Sequence, residues 1–115
     1  MPPTLAHRLA HILDAILSIE DLMALKTEAD LSRDRHLRSS LERELEIISE
    51  ASRRIPEQIK NEEKNIDWQG MASFGNRLRH AYHLTDIGIL YTTVVIDLPP
   101  LKAFVERVLA EEKKR

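Results

Sequence analysis

Residues 33–55 read RDRHLRSSLERELEIISEASRRI. Leu37, Leu41, Leu45, Ile48 and Ala51 recur at steps of three and four, and the charged residues fall between them. At about 100° per residue those five positions share one stripe, so the stretch predicts a long amphipathic helix. Pro56 closes it, because the residue before a proline resists the α region. The same proline can open a short helix in PEQIKNEE, where its missing N–H costs nothing.

Working outward, TEADLSRD (27–34) is a polar break with cap candidates at Thr27, Asp30 and Ser32. Before it, Thr4 can cap a helix carrying Leu5, Leu9, Ile12, Leu13, Ile16 and Leu17, expected to run to about residue 26. After Pro56, Asp67 can cap a helix with Trp68, Met71, Phe74 and Leu78 at helical spacing. HLTD (83–86) is expected to break that helix, with Thr85 or Asp86 capping the next one through Ile87, Leu90 and Val94. DLPP marks a kink or restart at Pro99–Pro100, and a last helix carries Leu101, Phe104, Val105, Val108 and Leu109. No internal repeat, linker or low-complexity segment interrupts the pattern. The expectation is one domain over residues 1–115, an all-α up-and-down bundle of four to five helices with short loops.

Composition agrees. A 115-residue chain can bury a core of its own, and 43% hydrophobic with 31% charged residues suits a soluble globular protein. Three glycines and 4% aromatics disfavour a β-sandwich or a glycine-loop enzyme. With no cysteine, disulfides, thiol catalysis and cysteine-ligated zinc are excluded, which fits a reducing compartment. No signal-peptide pattern opens the chain and no uninterrupted apolar run nears the ~18 residues of a membrane span, so a cytoplasmic location away from membranes is expected. His7 and His11 stand one turn apart without an evident third ligand, so no metal and no cofactor is expected.

The net charge is −2, unlike the strongly basic balance of proteins that coat nucleic acid. Any phosphate contact must come from a local patch, and FGNRLRHAY (74–82) is the best candidate. On a helix, Asn76 lies about 40° from His80, with Arg77 and His83 about 60° to either side, and Met71, Phe74 and Leu78 lie about 120–180° away. A polar face alone demands no site. Its contents are, however, the groups that metal-free RNA cleavage needs: a histidine for proton transfer, a guanidinium for phosphoryl oxygens, and an amide.

The segments ERELEIISEASRRIP, IDWQGMASFGNRLRHAYH and DLPPLKAFVERVL resemble the HepT-like family of HEPN-domain proteins, from the first helix to nearly the end of the chain. Ile66, Trp68, Asn76, His80, Tyr82 and Asp97–Leu101 occupy the places of that family's signature. The resemblance implies a HEPN-like all-α homodimer whose motif helices meet across the interface. It implies an RNA substrate, a metal-independent ribonuclease acting as a bacterial toxin, and a minimal nucleotidyltransferase as antitoxin. On that pattern His80 is the catalytic histidine, Asn76 an orienting amide, and Tyr82 the tyrosine that can receive AMP. The sequence departs from the pattern at Gly75, where the family has arginine. Arg79, one turn on along the same stripe, is the expected substitute, with Arg77 as its rival. The alternative is an interaction module that partners a nucleotidyltransferase and has lost nuclease activity through Gly75.

Overall fold

The computed structural model describes residues 4–80 and 83–114, with side chains at all of these except 75–80 and 83–86. The described residues form helices and turns, with no strand among them. The order is α1 (Leu5–Met23), α2 (Glu28–Arg33), α3 (Arg35–Ser52), α4 (Glu57–Lys60), α5 (Trp68–His80), α6 (His83–Thr92), a π-helical turn (Thr93–Asp97) and α7 (Leu98–Lys113). Helix α1 packs on α3 and α7, α3 also packs on α5, and the short α2 reaches α6. The bundle is elongated, 46 × 29 × 27 Å.

The opening stretch behaves as its stripe requires. Leu37, Leu41, Leu45 and Ile48 are buried, and Asp34 caps α3 by accepting the Leu37 N–H at 3.1 Å. The helix ends at Ser52, four residues before Pro56, and α4 is a single turn begun by that proline. Thr4 caps α1 through the His7 N–H, and Leu9, Ile12, Ala15, Ile16 and Ile19 form its buried face. Leu17 was expected on that face but is 43% exposed; Ile19 takes the inward position. The polar break holds a small helix of its own. Thr27 and Asp30 form a reciprocal capping box, and Arg38 donates to the Leu31 and Ser32 carbonyls at the helix's far end.

One of the expected breaks is absent and another is present. HLTD does not interrupt a helix: α6 already begins at His83 and runs through it. The segment holds no glycine or proline, and its threonine and aspartate cost a helix only a few tenths of a kcal/mol each. At DLPP the expected restart is found, with α7 beginning at Leu98 after a π turn and the chain staying helical. Pro99 and Pro100 supply no N–H and crowd the carbonyls one turn back, and the π turn just before them widens the backbone there. The Leu98 N–H reaches back five residues to the Thr93 carbonyl.

Residues 87–113 thus form one helical run of 27 residues, long and apolar enough by composition to cross a membrane. Within the bundle its Ile87, Leu90, Leu98, Leu101, Phe104, Val105 and Val108 are core residues packed with those of α1, α3 and α5.

Candidate active site

Helix α5 begins with a specific arrangement. Asp67 accepts the Gly70 N–H at 2.9 Å, satisfying one of the first-turn donors. A Cβ at position 70 would collide with that carboxylate as it is placed, so a larger residue there would require the Asp67 side chain to shift. Trp68 anchors the next position. Its indole N–H is shared between the Lys60 and Glu63 carbonyls at 3.1 and 3.2 Å. Its ring meets Phe104 of α7 edge-on, with centroids 5.2 Å apart. The Lys60 ammonium stands 5.9 Å from the centroid of the Trp68 ring.

Further along, Met71 and Phe74 are buried. Between them, the Ala72 carbonyl accepts from the Ser49 hydroxyl of α3 at 3.0 Å and from the Nε of Arg53, the residue that ends α3, at 2.8 Å. Helix α5 is therefore held by α4 at its start, by α7 beside Trp68, and by α3 one turn before Asn76. Asn76, Arg77, Arg79 and His80 all lie in the last two turns of this clamped helix. By helical register, position 80 is about 120–180° around the axis from the buried positions 71 and 74. The side chains of these four residues, and Tyr82 entirely, lie outside the described residues, as does Gly75 beyond its helical backbone.

Two segments far apart in sequence meet beside α5. Ile66, Asp67, Gly70, Met71 and Phe74 face Thr93, Ile96, Asp97 and Pro100 across a groove of about 240 Å³. The IDW and DLPP elements are thus neighbours in space, and the π turn lies at their junction. A larger cleft of about 460 Å³ runs over α1 and α3, lined by Arg8, His11, Arg43, Glu46, Glu50, Arg53 and Arg54 among others. No group of three or more candidate metal ligands exists among the described residues.

Residues 12–108 match the family described as ribonuclease HepT-like. The chain belongs to that family. It is 36% identical over 100 residues to a protein of Thermococcus cleftensis named "Probable ribonuclease HepT", covering 87% of this chain and 91% of that one. It is 31% identical over 106 residues to a Methanocaldococcus jannaschii protein named "Gamma-glutamylcyclotransferase and putative RNase", and there the chain spans only 48% of the relative's length. A Caldanaerobacter subterraneus protein named "Putative RNase" shares 29% over 106 residues, covering 91% and 94% of the two chains. No solved structure matches significantly. The HepT-like match encloses α5, the groove beside it and the α1–α3 cleft's α3 wall, and the fold is an all-α HEPN-like bundle.

Proposed function

We propose that this HepT-like chain is a metal-independent endoribonuclease. The observation that carries the proposal is the family match over residues 12–108, with Asn76 and His80 inside the helix that α3, α4 and α7 hold in place. His80 takes the proton from a ribose 2′-hydroxyl, whose oxygen attacks the adjacent phosphorus. The bond from phosphorus to the 5′-oxygen breaks, and a proton is delivered to that oxygen, leaving a 2′,3′-cyclic phosphate and a 5′-hydroxyl. A guanidinium, Arg79 in preference to Arg77, stabilises the charge on the phosphorane, and Asn76 orients the reacting group. Gly75 removes the arginine of the family pattern, and Arg79 follows it by one helical turn, which favours Arg79 for the role.

The biological setting follows the family resemblance. The chain acts in the cytoplasm as a homodimeric toxin, and a minimal nucleotidyltransferase neutralises it, in one form by transferring AMP to the Tyr82 hydroxyl. Expression in a bacterial host tests this part. The unaltered chain should arrest growth and His80→Ala should not, with co-expression of the nucleotidyltransferase restoring growth. Harmless expression of the unaltered chain, with the two proteins still co-purifying, would instead favour an interaction module disabled at Gly75.

A further inference from the structure

The α1–α3 cleft is electrostatically unlike the rest of the chain. Four guanidiniums, Arg8, Arg43, Arg53 and Arg54, line it against two carboxylates, Glu46 and Glu50, in a protein whose net charge is −2. Glu50 is shared, 3.2 Å from Arg53 and 3.0 Å from Arg54, so one carboxylate fixes two guanidiniums and neutralises only half their charge. Arg43 approaches Glu46 at 3.9 Å, the outer limit of an ion pair. Arg8 makes no ion pair among the described residues, although it is only partly exposed. Ile47 and Ala51, both half-buried, supply an apolar floor.

The cleft is also elongated and connected. Position 43 lies about 13 Å along α3 from its end at Ser52, at 1.5 Å per residue, and Arg53 and Arg54 follow in the turn just beyond, so the row is longer than a single anion. At its α5 side, Arg53 donates to the Ala72 carbonyl, four residues before Asn76.

We propose that this cleft is a phosphate track, distinct from the motif helix, that holds the backbone of single-stranded RNA and leads it to α5. The proposal rests on the ribonuclease reading above. Guanidinium forks match phosphate oxygens bidentately, a row of them binds successive phosphates without reading bases, and the shared Glu50 keeps two forks from collapsing onto the surface.

The test is binding of a fluorescein-labelled oligouridine, followed by anisotropy across a KCl series, with all proteins carrying His80→Ala so that the probe stays intact. Adding Arg8→Gln and Arg54→Gln together should weaken binding about tenfold or more and reduce the log–log salt slope by about 1.4, two single-strand phosphate contacts at about 0.7 each. Glu46→Gln, which removes a negative charge from the same wall, should tighten binding and leave the slope no shallower. Circular dichroism confirms that each variant is folded. Intact slope and affinity in the folded double variant would overturn the track while leaving the ribonuclease reading standing. Absence of both oligouridine binding and RNA cleavage by the unaltered chain would overturn the two together.

Discussion

The Ala72 carbonyl shows how single residues hold the candidate site. It lies in the middle of α5 and accepts from both Ser49 and Arg53. Ser49 is 2% exposed, so its hydroxyl has no solvent to turn to. Ser49→Ala should therefore cost about 1 kcal/mol, measured as the shift in urea midpoint, and a double-mutant cycle with Arg53→Gln should show coupling between the two donors. Strict additivity would mean that they do not act on one acceptor. Two turns on, the guanidinium assignment is testable by kinetics. Arg79→Ala should lower kcat about 10²-fold or more, whereas Arg77→Ala should chiefly raise KM. The reverse ranking would reassign the role to Arg77. Asn76, Arg77, Arg79 and His80 can be proposed from the sequence because they sit within five residues and their types suit phosphate chemistry. Ser49 and Arg53 were not legible, since their partner is 23 and 19 residues away and nothing in their own segment sets a polar contact apart from solvation.

Elements were read well where apolar stripes and caps coincide, as in α3, and poorly where the backbone departs from ordinary helix geometry. Helix α1 was expected to reach residue 26 but ends at Met23, because Leu25 turns the chain with φ of 62°. No glycine or asparagine signals that turn, and the leucine side chain is fully exposed. A leucine in this region costs about 1 kcal/mol, and asparagine less, because its side chain can hydrogen-bond locally. Leu25→Asn should accordingly raise stability by roughly half a kcal/mol in urea unfolding; destabilisation would show that Leu25 has a packing role. The π turn was equally hidden. Buried positions step from Ile87 and Leu90 to Thr93, then skip five to Leu98, so Thr93 rather than the expected Val94 takes the innermost place. The Thr93 hydroxyl is satisfied by the Ile89 carbonyl at 2.7 Å. At α2 the capping box has a pH signature. The Thr27 backbone N–H, then its hydroxyl, hold the Asp30 carboxyl below its ordinary range. A depressed folded-state value stabilises the fold above the ordinary carboxylate range, and that contribution is lost as pH falls through the lowered value. The urea midpoints of the parent and Asp30→Asn should differ at neutral pH and converge below about pH 4. A difference that persists in acid would mean the carboxylate charge is not what the cap uses.

At the scale of the whole molecule, a net charge of −2 conceals local groupings of cations. RLRH is one in the sequence, and folding gathers another, Arg8 of α1 with Arg43 of α3 and Arg53 and Arg54 just after it, on one cleft. Such a patch exists only once α1 packs on α3, and no window of sequence contains it. Helix α1 also packs on α7, where Glu20 holds Lys102 at 2.9 Å. This scaffold, on the present reading, delivers RNA to a metal-free histidine centre on α5. Incubation of end-labelled RNA with purified protein in excess EDTA, with His80→Ala in parallel, tests that reading. Products ending in a 2′,3′-cyclic phosphate should form with the unaltered protein and fall at least about 10²-fold with the variant. Cleavage that survives in the variant, that requires an added divalent metal, or that fails to appear across diverse RNAs would contradict it.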